Sequence, residues 1–518
     1  MENCPPDQQN ARHSTALRWA VIALYVAING VVFYNARRHD PGIGYDSDAH
    51  LHYLMTLSQG RLPTRADSGE FFSPPLPYVP GAIAMALGKG PECAFKIAQY
   101  AQFGFSLVLT FFLLQICGLV RKDDDRLGLL ALLCLGMIPA YYKTFAMIRG
   151  EALLATLAVV AAWVAIRTFV GRERMPVGGA IVLGLLLGGA AISRQWGIFL
   201  IPPVVLLAAW RMRRDRKFWP AFRTLAIAGF FCAISGSWYY LHLHHKYGSV
   251  TAFNRGEESI DRPVGFYVGF PVTRVIAKPI RPDEPQRWVL PILYCDTWGD
   301  YWMHFLIYGK NRRGHYMQGN YITMTNDRLP PPRRSVQDNI RQIRPYLRRV
   351  SAVSLLPTAV MIAGLGFGVV TVIRLARTRA AATDPPDVPA MTVAFAAMVV
   401  VSTLGGYYWF LTNYTDLNGD TIKASYILQT YPFLALMAAV VLWRLLERRR
   451  RLAAVLIVLL IAAAAHNTPA MFTNYERDSD GVCCAPAPPR PPTTHPASAP
   501  ATTGAAGGAD AQADQAEP

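Results

Sequence analysis

Charge is what this chain has least of. Only 16% of its 518 residues are Asp, Glu, Lys or Arg, where a soluble domain carries about 25%. Mean hydropathy is +0.21 and 52% of the residues are hydrophobic. A soluble helical protein of this size would have little against which to hide so many all-round apolar helices, so that class is excluded. Cysteine chemistry is thin as well. The eight cysteines are scattered, and no spacing has the form of a metal-binding motif. Cys93, Cys117, Cys134 and Cys232 fall in or beside apolar runs, where a thiol behaves as a small hydrophobe. Cys483 and Cys484 are adjacent, and a disulfide between neighbours is strained. No stacking or base-reading module accompanies the net charge of +17, so nucleic acid is not the partner it implies. No internal repeat is evident. The first apolar stretch is too long for the core of a removable signal and lacks a small-residue cleavage site. It reads as a retained first span.

What the chain does have is long apolar runs. A membrane-crossing helix needs about 20 residues. Runs of that kind lie near 17–34, 94–120, 127–142, 150–170, 176–192, 196–210, 220–243, 351–375, 391–411, 425–446 and 452–468. The expectation is therefore an all-α polytopic membrane protein with about eleven transmembrane helices. The 176–210 pair is interrupted by Ser193-Arg194-Gln195 and also reads as one bent helix.

Short loops rich in Lys and Arg stay cytoplasmic. The clearest are Arg211 to Lys217, Arg374 to Arg379 and Glu447 to Arg451, and the 121–126 and 171–175 loops agree. Eleven spans with the N-terminus inside put all five on the cytoplasmic side. The 45–78 segment, the turns at 143–149 and 193–195, the 412–424 loop and the C-terminal tail then lie outside. So does the 244–350 loop, with 17 Lys/Arg against 9 Asp/Glu, a net +8. Loops beyond about 60 residues largely escape the charge rule. An external cationic loop suits anionic material at the membrane or serves solubility alone. The resulting division is a cytoplasmic 1–16, a first membrane module 17–243 with a helical external loop at 35–93, and the large external loop 244–350. A second membrane module at 351–470 and a Pro/Ala-rich tail at 475–518 follow. The tail cannot bury a core and is expected to be disordered.

Residues 45–78 read YDSDAHLHYLMTLSQGRLPTRADSGEFFSPPLPY. A chain needs none of these polar groups to span a bilayer. If 46–59 is helical, Asp46 and His50 are four apart, as are Asp48 and His52, and such pairs share a face. A carboxylate beside an imidazole serves as a general base, or the set holds a divalent cation. A capped interfacial helix explains the same residues without chemistry. Gly60 to Pro63 ends the helix, Glu70 follows, and Pro74-Pro75 forces an extended return.

In this order the segment resembles the first external loop of the GT-C integral membrane glycosyltransferases, in the branch of the protein mannosyltransferases and lipid A aminoarabinose transferases. Ile148-Arg149-Gly150-Glu151 is similar to that family's R-x-E/D at the external end of a helix. Gly184 to Gly188 through Ser193-Arg194 is similar to its GLxxGLAxLSK stretch. Lys423 through Tyr426 to Pro432 is similar to its late R/K-x-x-Y-L-L element. Two departures are Ser73 where His or Lys is common and Pro77 where Tyr is common.

The resemblance implies a GT-C fold in a bacterial inner membrane, with the site facing the periplasm. It implies transfer of a sugar from a polyprenyl phosphate to an extracytoplasmic lipid, glycan or protein acceptor. Such a leaving group needs no general acid, so cations matter most. Arg149, Arg194 and Lys423, with Tyr426, are the lipid-phosphate candidates. Asp48 is the favoured base and Asp46 the other choice, and the expected course is a single displacement with inversion. His50, His52, Tyr53, Glu70 and Glu151 are the acceptor-binding candidates. No cofactor is demanded; a divalent cation, Mg or Mn, would fall to Asp46 and Asp48. Asp296 and Asp300, amid the aromatics of 291–302, line either a sugar site or a packed minidomain. Donor, acceptor and membrane lipids are the partners, with no nucleic acid. The rival readings are an O-antigen polymerase or ligase, which lacks the 45–78 arrangement, and a lipid-linked sugar transporter or flippase, which typically carries a repeat.

Overall fold

All the apolar runs are helical in the computed structural model of the chain. It describes residues 6–475 except 123, 171–175, 217, 254–267, 269–275, 282–286, 307–308, 311–315, 318–331, 379–386 and 415–418. The expected tail, the 171–175 loop and much of the 244–350 loop therefore lie outside the described residues.

The helices in chain order are α1 Pro6–Arg38, α2 Ser47–Leu57, α3 Val79–Ala86, α4 Pro91–Val120, α5 Asp125–Gly136, α6 Pro139–Ala146, α7 Gly150–Phe169 and α8 Val177–Ala191. They continue with α9 Ile201–Asp215, α10 Phe218–Tyr247, α11 Val289–Trp298, α12 Pro332–Val353, α13 Leu355–Arg377, α14 Val388–Asn413, α15 Tyr431–Arg448 and α16 Arg450–Asn467. Short 3-10 turns at Gln195–Leu200 and Ala424–Thr430 lead into α9 and α15. A pair of two-residue strands, Gly309–Lys310 and Tyr316–Met317, is antiparallel.

Among the described residues nine helices are long and apolar enough to cross a membrane, or ten if one bent pair counts as a span. This corrects the expected eleven in two places. Pro139 has no N–H to donate and forces Ile138 out of helical geometry, so α5 and α6 meet at a 69° bend. The α8 helix has 15 residues, about 22 Å at 1.5 Å per residue, which falls short of a hydrocarbon core of about 30 Å. Its chain breaks at Ser193-Arg194 and resumes as the Gln195–Leu200 turn.

Burial separates centre from rim. The windows in α7 and in the 424–448 span are 78% and 89% buried, against 22% in α1, 17% in α10 and 22% in α16. Large apolar side chains exposed on the rim, such as Trp19, Leu241, Ile362 and Val458, have lipid to face. The α8 and α10 backbones approach closely. A Cβ on Gly184 would lie 2.3 Å from the Ala228 carbonyl oxygen, and one on Gly188 would lie 1.9 Å from the Ser235 hydroxyl. Small residues permit such contact between helices in a membrane.

One end of the bundle gathers the basic turns. Arg18 pairs with Asp125 at 3.7 Å, Arg121 with Glu447 at 3.4 Å, and the Trp443 indole donates to Asp124 at 2.8 Å. The other end carries α2 and the turns around 148–150, 193–195 and 419–424. The described part of the large loop packs here too. Trp302 donates to the Ile422 carbonyl at 3.0 Å, and Met303, Phe305 and Leu306 cluster with Ala146, Leu347 and Ala470.

Candidate active site

The site forms where α2, the α7 start, the 193–195 turn and the 423–430 segment meet. Asp46 occupies the N-cap position of α2, in the left-handed region at φ 54°, and its side chain makes no cap hydrogen bond. An N-cap aspartate normally turns back onto the first helical N–H groups. Here the carboxylate reaches away from its helix and accepts from the Lys423 ammonium at 2.7 Å. The backbone strain of a non-glycine residue held this way is about 1–3 kcal/mol.

Two arginines complete a cationic wall. Arg149 is the N-cap residue of α7, and Gly150 follows it. A Cβ on Gly150 would lie 2.2 Å from the Ser193 carbonyl oxygen, so only glycine lets the α7 start close on the 193–195 turn. That approach brings Arg194 to Glu151. Arg194 Nε donates to Glu151 Oε1 at 3.0 Å, and Arg149 Nε and Nη2 donate to the two Glu151 oxygens at 3.2 Å each. Arg149 also donates to the Tyr45 carbonyl at 2.8 Å. Arg194 Nη1 donates to Glu70 at 3.0 Å and to the Ser73 hydroxyl, which itself donates to Glu70. Glu151 sits in the first turn of α7, where the helix dipole favours a negative charge.

The ring of Tyr426 is the common neighbour. Arg149, Arg194 and Lys423 place their charges 5.6, 5.6 and 5.5 Å from its centroid, within cation–π range. Three cations and three carboxylates thus share one pocket. It is closed on the Glu151 side and open at Asp46, whose side chain is 40% exposed.

A second charged pair lies beside the first and was not anticipated. Lys143 donates to a carboxylate oxygen of Asp296, Tyr45 donates to the same carboxylate at 2.8 Å, and the Ala424 N–H donates at 2.7 Å. The pair is sealed, at 1% and 0% exposure. Its signal in sequence was a lone lysine next to an apolar run. Asp300 is also internal: it accepts from the backbone N–H groups of His304, Phe305 and Leu306 at 3.0, 2.9 and 2.7 Å. Both aspartates of the 291–302 stretch are thus engaged inside the protein.

The other α2 candidates divide by helix face. Asp48 and His52 are exposed. Tyr53 is buried, stacked on Tyr78 with centroids 4.2 Å apart. His50 is buried, with Nδ1 at 2.7 Å from the Tyr78 hydroxyl and Nε2 without a hydrogen-bond partner among the described residues. Burial lowers the His50 pKa to about 4, against the opposing pull of Glu70. His304 is a further buried imidazole, edge-on to Tyr45 at 4.8 Å, with Nδ1 unpartnered among the described residues. Burial lowers its pKa too, and the Lys423 and Lys143 charges add to that. Desolvation opposes ionisation of Asp46 and Glu70. For Asp46 the charges of Lys423 and Arg149 with the Lys423 hydrogen bond together outweigh it, and for Glu70 the charges of Arg194 and His50 with the Ser73 hydrogen bond do, so both carboxyls are held below their ordinary values.

No group of three or more His, Cys, Asp or Glu side chains is placed to hold an ion among the described residues. Asp46, Glu70 and Glu151 each already face a cation of the protein.

No family model matches this chain, and no curated protein matches it at a significant level. Among solved structures it is similar to ArnT from Cupriavidus metallidurans bound to undecaprenyl phosphate, at 14% identity over 81% of this chain and 77% of that one, with a TM-score of 0.37. The apo state of the same protein gives 16% identity over 82% and 77%, again with a TM-score of 0.37. A third similar structure is the archaeal oligosaccharyltransferase AglB from Archaeoglobus fulgidus, in complex with an inhibitory peptide and a dolichol-phosphate. It gives 10% identity over 89% of this chain and 57% of that one, with a TM-score of 0.47.

Proposed function

We propose that this chain is a membrane glycosyltransferase that moves a sugar from a polyprenyl-phosphate donor to a hydroxyl acceptor outside the cytoplasm, with Asp46 as base. The observation that carries the reading is the convergence of Arg149, Arg194 and Lys423 on Tyr426, next to an accessible carboxylate. Three cations at the edge of a bilayer are costly unless used, and a phosphate monoester leaving group uses them.

The chemistry balances simply. The acceptor oxygen forms a bond to the anomeric carbon as its proton passes to Asp46. The bond from that carbon to the phosphate oxygen breaks, and its electron pair leaves on the prenyl phosphate, which the cations stabilise. Attack opposite the leaving group inverts the anomeric centre. No general acid is required.

An apolar groove of about 330 Å³ supports a prenyl tail. It runs between α8, α9 and α10, lined by Leu187, Ala191, Ile198, Val205, Cys232 and Tyr240, and reaches within three residues of Arg194. Of the two aspartates, Asp46 is the better base because its carboxylate faces the cations, whereas Asp48 makes no hydrogen bond or ion pair to the described residues.

The test is lipid and glycan profiling of a deletion strain. The expected result is an accumulated sugar-charged polyprenyl phosphate together with a product lacking one sugar, both corrected by the wild-type gene and not by Asp46→Asn. Unchanged lipid-linked sugars and unchanged products in the deletion strain would overturn the reading.

A further inference from the structure

We infer that the donor phosphate and Asp46 compete for Lys423, so that the carboxylate is unmasked as a base only after the phosphate has arrived. The inference rests on the donor site proposed above and adds an order of events to it.

The pocket begins neutral, with Arg149, Arg194 and Lys423 set against Asp46, Glu70 and Glu151. An arriving phosphate must therefore draw at least one cation from its present partner. The ties differ in strength. Glu151 is fully buried and held by both arginines through three hydrogen bonds. Glu70 is buried and held by Arg194 and Ser73. Opening either would leave a buried charge without compensation, a loss of several kcal/mol. Lys423 holds Asp46 through one hydrogen bond, and its flexible stem carries a point charge with no fork geometry to satisfy. Asp46 is 40% exposed, so water meets the carboxylate once the ammonium turns away. The Lys423–Asp46 pair is thus the one that opens at least cost.

The backbone agrees. A relaxed N-cap would spend the Asp46 carboxylate on its own helix. The left-handed conformation at φ 54° keeps it pointed into the pocket, available first to Lys423 and then to an acceptor. The other charged or titratable groups facing it are Arg149 from the α7 start, His50 from α2, Glu70 from the following loop, His304 from the turn after α11 and Tyr414 at the end of α14. Among these, Arg149 is committed to Glu151 and Tyr45, which leaves Lys423 as the mobile cation.

A carbodiimide with an amine nucleophile reports the masking, because it modifies the protonated carboxyl. The full-length chain in detergent at pH 6 is labelled with and without undecaprenyl monophosphate, and Asp46 is read by mass spectrometry with exposed Asp48 as internal standard. Binding is followed in parallel by thermal stability. Removing an opposite charge raises a carboxyl pKa by about one unit or more, so Asp46 labelling should rise about tenfold on adding the lipid phosphate. Lys423→Met should show the raised level with no ligand. If the lipid phosphate stabilises the protein while Asp46 labelling stays at the unliganded level, the competition is wrong and the donor site stands. If Lys423→Met without ligand labels like wild type, Lys423 does not mask Asp46 and the inference is again overturned. If the lipid phosphate neither stabilises the wild type nor changes its labelling, the donor site itself fails and the inference falls with it.

Discussion

Tyr45 stands between two lysine–aspartate pairs. Its hydroxyl donates to Asp296, which Lys143 holds, and its ring lies 5.2 Å from the ammonium of Lys423, which holds Asp46. The pairs share their chemistry and differ in what surrounds them. The Asp296 carboxylate has a lysine, a tyrosine and a backbone N–H as partners and no solvent. The Asp46 carboxylate has one lysine and is 40% exposed. A buried pair with all its lone pairs used has nothing to offer a substrate; it ties α6, α11 and the 424–430 turn together. A half-open pair with one hydrogen bond has capacity left. Saturation, more than residue type, separates the framework pair from the pair proposed as the site.

Breaking the open pair should cost activity. Asp46→Asn is expected to reduce transfer by about 10²–10⁴-fold, the range for a lost general base, with thermal stability near wild type. Sugar transfer to acceptor in isolated membranes measures it, and a variant that keeps full rate while Asp48→Asn loses it would move the base to Asp48. Breaking the closed pair should cost folding. Lys143→Met leaves Asp296 charged and buried, a loss of about 3–5 kcal/mol, seen as a lowered unfolding temperature and poor membrane yield. Normal stability in that variant would erase the distinction drawn between the pairs.

The arginine wall sharpens the comparison at smaller cost. Arg194→Lys, which keeps a cation beside buried Glu70 and loses only the guanidinium fork, is expected to raise the donor KM about tenfold, equivalent to about 1.4 kcal/mol, while acceptor KM is little changed. An unaltered donor KM would remove Arg194 from the phosphate site. The smallest effect is a pH dependence. His50 has an ordinary pKa of 6.5 and about 4 in the fold. Between those values the unfolded imidazole takes a proton that the folded one refuses, so stability falls as pH drops from 6.5 towards 4. His50→Gln should lessen the drop in melting temperature between pH 7 and pH 5, and an identical drop in the variant would place the acid sensitivity elsewhere.

How much of this was legible in sequence follows from range. Apolar runs report burial in lipid or core directly, so the helices could be read from them, with errors where Pro139 bends α5 against α6 and where α8 stops at 15 residues. Arg149, Arg194, Lys423, Glu70 and Glu151 were nominated by their place in motifs that resemble the family's, and the cost of charge next to spans agreed for the three cations. Which of two aspartates faces those cations could not, since spacing along α2 gives Asp46 and Asp48 equal standing with their histidines. The pairing of Lys143 with Asp296, 153 residues apart, left only the trace of a lysine out of place. Ser73 looked like a departure, yet its hydroxyl bridges Glu70 and Arg194.

By itself the sequence determined that this chain lies in a membrane, which segments are helical, and which polar residues are too expensive there to be idle. Hydrophobic transfer and the need to satisfy every backbone group in lipid are local enough to read from composition. Tertiary structure alone decided that Lys423 meets Asp46 across 377 residues, that Gly150 lets two arginines share Glu151, and that one lysine–aspartate pair is sealed while its neighbour is open. Those outcomes depend on packing between distant segments, and on how much water packing leaves at each charge.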